Sequence, residues 1–256
     1  MKKLSSVTAF FPAYHDGGTI PSMIVLAFKT LAQITDDYEV VIVNDGSHDD
    51  PLDYTGEVLA ELVKRYEHLR VITHPKNRGY GGALRSGFAG AAKDWIFYTD
   101  GDAQYDPREM LQLAEGVCDE VDVVNGYKIG RSDTLVRIVV GRIYHYTVKV
   151  IFGLPLRDTD CDFRLFRRSL VERVTLESDS GTIALELVKK FHDAGARFVE
   201  MPVHHYHRAY GKSQFFNVRR LFRTAVQLTQ LWWKLVVRKD HLKPARQVPP
   251  AVPSQN

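Results

Sequence analysis

Apolar and polar positions along this 256-residue chain alternate between two periods. Short apolar runs at Ser6–Phe11, Tyr38–Val43, Leu69–His74, Trp95–Asp100 and Val121–Asn125 predict five strands. Between them lie segments of helical period at Pro21–Thr35, Leu52–Tyr66, Gly82–Lys93 and Pro107–Val117. In the second of these, Val58, Leu59, Leu62 and Val63 mark one apolar face. Repeated strand–helix units of this length predict an α/β fold, a mostly parallel sheet flanked by helices. After Gly126 the pattern changes. A helix is expected over Val136–Phe152, a compact loop and strand over Asp158–Phe166, a helix over Thr182–Ala194 and a strand over Arg197–Val203. A long amphipathic helix is expected over Phe215–Lys239, and residues 241–256, rich in proline and without periodicity, read as a disordered tail.

Composition adds little to that picture, but charge placement changes it. The chain is 45% hydrophobic and 25% charged, as soluble globular proteins are. Its two cysteines, Cys118 and Cys161, form neither a disulfide framework nor a metal-binding spacing, so a cytoplasmic setting is expected. The N-terminus resembles no signal or transit peptide, and no segment is apolar over the roughly 20 residues of a membrane span. The net charge of +3 hides an asymmetry: residues 1–200 hold 24 Lys and Arg against 30 Asp and Glu. Residues 201–239 hold eight cations and no acid, which suits an anionic contact surface. In the Phe215–Lys239 helix a narrow polar stripe runs through Arg219, Arg223, Gln227, Gln230, Lys234 and Arg238, with Trp232-Trp233 near its end. That suits a membrane interface; packing in the core or against another subunit is the alternative.

The candidate chemistry lies where a parallel sheet gathers ligands, at the carboxyl ends of strands. Asp100-Gly101-Asp102 ends the fourth strand with two oxygen ligands suited to Mg²⁺ or Mn²⁺. Asp45, in Asn44-Asp45-Gly46-Ser47 after the second strand, either accepts hydrogen bonds from a base or ribose or caps the next helix. Asn77 through Gly87 is a Gly-rich loop opening a helix; it either offers backbone N–H groups to phosphate or packs that helix closely. It lacks the third glycine of a dinucleotide fingerprint. His207 through Ser213 is a cationic loop, not a P-loop, since Tyr206 stands where the first glycine belongs. Asp158-Thr159-Asp160-Cys161-Asp162 lacks the glycine and glutamate of a calcium loop and reads as a second group of site carboxylates. Of His204, His205 and His207, alternation puts only 205 and 207 on one face, and no third ligand for zinc is apparent.

Together, from about Val7 to Phe216, these motifs resemble the family 2 inverting glycosyltransferases of GT-A, Rossmann-like fold. The nearest branch is the dolichol-phosphate-mannose-synthase-like polyprenyl-phosphate glycosyltransferases. Pro12-Ala13-Tyr14 matches that family's Pro-Ala-Tyr-Asn-Glu loop, with His15-Asp16 in place of Asn-Glu. Asn44 through Ser47 matches Asp-Asp-Gly-Ser, and Asn77 through Gly87 matches the Asn-x-Gly-x-Gly-x-Ala loop. Asp100 through Gln104 matches the Asp-x-Asp metal motif, Asp158 through Phe166 the Asp-x-x-Cys-x-Phe-Arg-Leu-Phe segment, and Arg208 through Ser213 the Arg-x-x-Gly-x-Ser loop.

The resemblance implies a GT-A domain over 1–214, a basic amphipathic helix over 215–240 as a membrane-interface element, and the tail. It implies metal-dependent transfer of one sugar, with inversion, from a nucleoside diphosphate sugar of GDP-mannose or UDP-glucose type to a polyprenyl or dolichyl phosphate. Pro12, Ala13, Tyr14, Asp16, Asp45, Asn77, Gly79 and Asp100 would bind the nucleotide. Asp100, Asp102 and Gln104 would hold Mg²⁺ or Mn²⁺, and Arg208, Lys212 and Ser213 the donor diphosphate. Lys128, Arg131, Arg137 and Arg142 are candidates for the acceptor phosphate. Catalysis would rest on Asp102, Arg208 and Lys212, joined by Asp158 or Asp160 as base if the acceptor were a saccharide hydroxyl. Relatives in this branch often carry carboxy-terminal membrane helices. This chain shows none, so peripheral attachment at the cytoplasmic face of a membrane is expected, through 215–239 or a membrane-protein partner, with a second copy of the chain as a further candidate and no role for nucleic acid. A non-catalytic membrane adaptor is the competing reading; it has no need of Asp100 and Asp102.

Overall fold

The computed structural model describes residues 3–47, 53–129, 145–208 and 218–243. Arg131, Arg137, Arg142, Lys212, Ser213 and nearly all of the expected tail lie outside the described residues. In chain order the elements are β1 (Val7–Ala13), α1 (Ile20–Ile34), β2 (Tyr38–Asn44), α2 (Thr55–Val63), β3 (Leu69–Thr73), α3 (Gly79–Gly90), β4 (Trp95–Thr99), α4 (Met110–Glu115) and β5 (Val123–Ile129). There follow α5 (residues 145–152), β6 (Phe163–Arg167), α6 (Arg168–Arg173), α7 (Thr182–Asp193), β7 (Phe198–His204) and α8 (Val218–Trp232). A π-helical turn, Trp233–Val237, extends α8.

The seven strands form one sheet in the order β3-β2-β1-β4-β6-β5-β7. All pairings are parallel except those of β6, which runs antiparallel to both β4 and β5. The expected mostly parallel α/β sheet is therefore present, with one reversed strand at its centre. One face packs against α1, α2 and α4 through Ile24, Leu31, Leu59 and Leu113. The other packs against α3, α6 and α7 through Leu84, Phe88, Leu170 and Phe191. Strands buried on both faces explain the near-continuous apolar runs Val40–Val43 and Trp95–Tyr98.

A third cluster joins Val148 and Phe152 of α5 to Leu185 and Val188 of α7 and to Leu231 and Leu235. The long C-terminal helix thus has two faces. One side is buried against the body and tied to it by Lys234–Glu177 and by Gln227 accepting from Ser180 Oγ. The other leaves Phe222 73% and Trp233 53% exposed. The packing reading offered for this helix holds for its buried side.

Several boundaries differ from the sequence reading, among them β5, which runs on to Ile129, and two with a clear cause. The first strand runs on through Pro12 and Ala13, which pair with Val43 and Asn44 of β2. Proline is tolerated there because β1 has left its β4 partner after Phe10, and the Pro12 carbonyl accepts from Gly101 N–H at 3.2 Å. Helix α3 begins at Gly79 rather than Gly82, despite the low helix propensity of glycine. Gly81 N–H donates to the Asp179 carbonyl at 3.0 Å, and the loop carrying Asp179 is fixed by Glu186, whose carboxylate accepts from the Glu177 and Ser178 amides. Packing against that loop overrides propensity.

Candidate active site

The loops after β1, β2, β4 and β7 meet at one end of the sheet. After β1 the chain turns through His15, at φ 59, and Asp16. Histidine and asparagine tolerate this left-handed conformation better than most residues, which accounts physically for His15 where the resembling family has Asn. The Asp16 carboxylate accepts from Tyr14 N–H at 3.0 Å, and its carbonyl starts α1 by accepting from Ile20 N–H at 2.9 Å. Burial pushes the Asp16 carboxyl up to about 6; nearby Asp102 pushes the same way, against Tyr14 N–H and Arg208.

The β4 turn sits directly against the β1 end. A Cβ on Gly101 would meet the Pro12 carbonyl at 2.7 Å, so only glycine permits this approach. On one side of it Asp100 accepts from Tyr80 OH at 2.7 Å. Burial, with Asp162 and Asp102 nearby, holds the Asp100 carboxyl well above the usual carboxylate range. On the other side buried Asp102 accepts from Gln104 N–H at 3.0 Å and pairs with the Arg208 guanidinium at 2.5 Å. The side-chain amide of Gln104 donates to the Tyr206 carbonyl at 3.2 Å, and Tyr206 N–H donates to the Gln104 carbonyl at 2.8 Å. Gln104 therefore ties the loop after β7, and with it Arg208, to the carboxylate turn. His204 anchors the same loop, its ring bonded to Glu109 at 2.7 Å, while His205 lies edge-on to Tyr105.

Asp45 is buried at the end of β2, and its Oδ1 accepts from Arg78 N–H at 2.8 Å. Gly46, at φ 77, lies where a Cβ would stand 2.5 Å from Asn77 N, which locks this turn to the Gly-rich loop. Asn77 donates to the Asp45 carbonyl at 3.1 Å, and Gly79 N–H donates to Asn77 Oδ1 at 2.9 Å. With Gly79 and Gly81 N–H both bonded within the protein, the loop acts here as a scaffold for Asp45 and, through Tyr80, for Asp100.

Beneath Asp100 lies a network the sequence reading left unassigned. Arg164 is fully buried, donating to Asn125 Oδ1 at 2.6 Å, to the Thr159 carbonyl at 2.7 Å and to Tyr98 OH, with Asp162 at 3.5 Å. Burial raises the Asp162 carboxyl, and Arg164 opposes it. The signal available in the sequence was the alternation Asp158, Asp160, Asp162, Arg164 entering a strand, but alternation alone does not say which side chains turn inward. Asp158 caps the turn, accepting from Lys128 N–H at 3.2 Å and Asp160 N–H at 3.1 Å. Lys128 Nζ donates to the Asp160 carbonyl at 2.7 Å, and burial pushes the Asp160 carboxyl up to about 6. His145, Asp158 and Asp160 offer ligand atoms within 4.8 Å of one another.

The carboxylates that act on one another here (Asp16, Asp100, Asp102, Asp158, Asp160, Asp162) outnumber the cations that oppose them (Lys128, Arg164, Arg208) among the described residues. That surplus, with several acids raised by burial, is the donor chemistry of a hard divalent cation site.

The glycosyl transferase family 2 model matches residues 8–175, which span every one of these loops but the last. The chain belongs to that family. Among family 2 relatives, undecaprenyl-phosphate 4-deoxy-4-formamido-L-arabinose transferase of Aeromonas hydrophila subsp. hydrophila is 26% identical over 211 residues, 82% of this chain and 62% of the relative. The protein of that name from Yersinia enterocolitica is 27% identical over 215 residues, 84% of this chain and 64% of the relative. The chain thus spans less than two thirds of the length of these relatives. Glucosyl-3-phosphoglycerate synthase from Mycobacterium tuberculosis, solved with Mn²⁺, UDP and glucosyl-3-phosphoglycerate, superposes with a TM-score of 0.67 at 16% identity, over 90% of this chain and 79% of that one. This likeness establishes the GT-A fold.

Proposed function

We propose that this chain is a metal-dependent inverting glycosyltransferase that moves one sugar from a nucleoside diphosphate sugar to a polyprenyl phosphate. The observation that carries the reading is the surplus of buried and half-buried carboxylates around Asp100 and Asp102, set at the carboxyl ends of β1 and β4 and faced by Arg208. The names of the relatives, which act on undecaprenyl phosphate, support the acceptor. Asp100 and Asp102 would hold Mg²⁺ or Mn²⁺, and the ion, when bound, neutralises charge on the leaving diphosphate. Arg208 adds a fixed cation at the same place. Asp45 and Asp16 orient the nucleotide. A polyprenyl phosphate oxygen is already anionic, so placing it in line is enough and no base is required. Lys128, whose Nζ donates to the Asp160 carbonyl, is assigned to the acceptor phosphate from the sequence alone, as are Arg131, Arg137 and Arg142, with Lys212 and Ser213 assigned to the donor diphosphate in the same way.

Peripheral attachment fits the same reading. Phe222 and Trp233 on α8, with Tyr146 (63% exposed) and Val150 (78%) on α5, present apolar side chains to solvent beside cations such as Lys234 and Arg238. No helix among the described residues is long and apolar enough to cross a membrane.

A thermal-shift screen of GDP-mannose, UDP-glucose and related donors with Mn²⁺ tests the donor half, since a ligand of the native state raises apparent stability. Transfer of labelled sugar to undecaprenyl phosphate in vesicles tests the acceptor half. Stabilisation by no nucleotide would remove the reading. A saccharide hydroxyl acceptor is favoured by one observation, the Asp160 carboxyl raised to about 6, which suits a general base. Asp160→Asn separates the two: it should abolish transfer to a hydroxyl and spare transfer to a phosphate.

A further inference from the structure

His74 follows β3 and is buried. Its Nδ1 lies 2.6 Å from Asp45 Oδ1, and its Nε2 lies 2.8 Å from Ser86 Oγ on α3. Arg78 meets the same group twice: its backbone N–H donates to Asp45 Oδ1 at 2.8 Å and its guanidinium to Ser86 Oγ at 3.3 Å. With Asp45 ionised, the following proton assignment satisfies every contact. Nδ1–H donates to Asp45, Ser86 O–H donates to Nε2, and Ser86 Oγ accepts from Arg78. The chain of bonds starts and ends on Arg78, so each member fixes the next.

We propose that His74 and Ser86 are positioning residues for nucleotide recognition. They saturate Asp45 Oδ1 and leave Oδ2, which takes no hydrogen bond among the described residues, as the acceptor presented to a base. The inference rests on the nucleotide-sugar reading. An ionised carboxylate held in one orientation favours a base whose ring nitrogen carries a proton, as in uracil or guanine. Cytosine and adenine present a lone pair at that ring nitrogen, which the carboxylate repels. The order Ser-His-Asp also occurs in nucleophilic triads. Here, however, Ser86 Oγ already accepts from Arg78, and the serine lies inside α3.

The test measures binding of UDP, GDP, CDP and ADP with Mn²⁺ to the unaltered chain and to His74→Ala, His74→Gln and Ser86→Ala, with circular dichroism melts to establish folding. The unaltered chain should discriminate by base. His74→Ala should lose about 10- to 100-fold in affinity for the preferred nucleotide, the range of one hydrogen bond to a charged group, and little for the poorest. His74→Gln, which keeps a donor, should recover part of that loss. Ser86→Ala, which leaves no buried charge unpaired, should narrow the ratio to a smaller extent. An unchanged ratio of best to worst nucleotide in both His74→Ala and Ser86→Ala overturns the proposal, as does labelling of Ser86 by a fluorophosphonate probe. Binding of no nucleotide by the unaltered chain instead removes the nucleotide-sugar reading, and this inference with it.

Discussion

Replacing Asp16 by Asn probes the charge surplus directly. Asp16 is partly buried near Asp102, Asp53 and Arg208, and burial above all pushes its carboxyl from 3.8 to about 6. In the unfolded chain it titrates near 3.8. The gap corresponds to about 3 kcal/mol. Below about pH 4 the acid is protonated in both states and costs nothing. Between the two values the folded protein binds the extra proton, so this group's contribution to stability falls as pH rises through about 6. At about pH 8 the full cost is present. Asparagine keeps an acceptor for Tyr14 N–H and removes the charge. Asp16→Asn should therefore exceed the parent in stability by up to about 3 kcal/mol at about pH 8, or about 6 °C in Tm for a chain of this size. The gain should vanish near pH 4. Thermal melts in metal-free buffer across that range measure it. Adding Mn²⁺ at about pH 8 should stabilise the parent more than the variant, because the ion supplies the missing counter-charge. A difference that does not change with pH, or a variant less stable at about pH 8, would falsify the reasoning.

Three further outcomes are expected. Arg208→Ala should bind Mn²⁺ about 3- to 10-fold more tightly by calorimetry, since a competing cation leaves Asp102, yet lose about 100-fold or more in transfer rate. Arg164→Met should cost about 3–5 kcal/mol in urea unfolding, because it leaves buried Asn125 and the Thr159 carbonyl without their donor and half-buried Asp162 without its counter-charge; a loss under about 1 kcal/mol would show that the network is not structural. His15→Asn should fold with unchanged stability, whereas His15→Val should lose about 1–2 kcal/mol, the cost of a left-handed backbone at a branched residue.

The alternating strands and helices through β5 were legible because each buries a face, and burial writes a period into the sequence. Direction was not. Phe163–Arg167 reads as a strand either way, and only its pairing with both β4 and β5 reverses it. Arg168–Arg173 was missed because six residues are too few to display a helical period. The carboxylates Asp45, Asp100 and Asp102 could be named from their place after strands, and Asp16 from the family resemblance. Tyr80, His74 and Arg164 could not, since what matters in each is a partner distant in sequence: Asp100 for Tyr80, Asp45 and Ser86 for His74, Tyr98 and Asn125 for Arg164. The Gly-rich loop shows the same limit. Its glycines left phosphate binding and close packing open, and the described contacts show the packing.

The contacts around Asp102 link the parts of the site into one unit. Arg208 already sits on Asp102, and Gln104 joins its loop to the carboxylate turn on both sides of Tyr206. A cation taken up at Asp102 would therefore compete with the Arg208 guanidinium, and under the proposed function the displaced guanidinium, its loop still tethered by Gln104, would stay beside the leaving diphosphate. Arg208 balances Asp102 in the protein described here, and under the proposed function it would become free for the leaving group once an ion bound. The buried acids make the same point from the other side. Raised carboxyls without a counter-charge lower stability near neutral pH, so under the proposed function an ion bound there would relieve that cost.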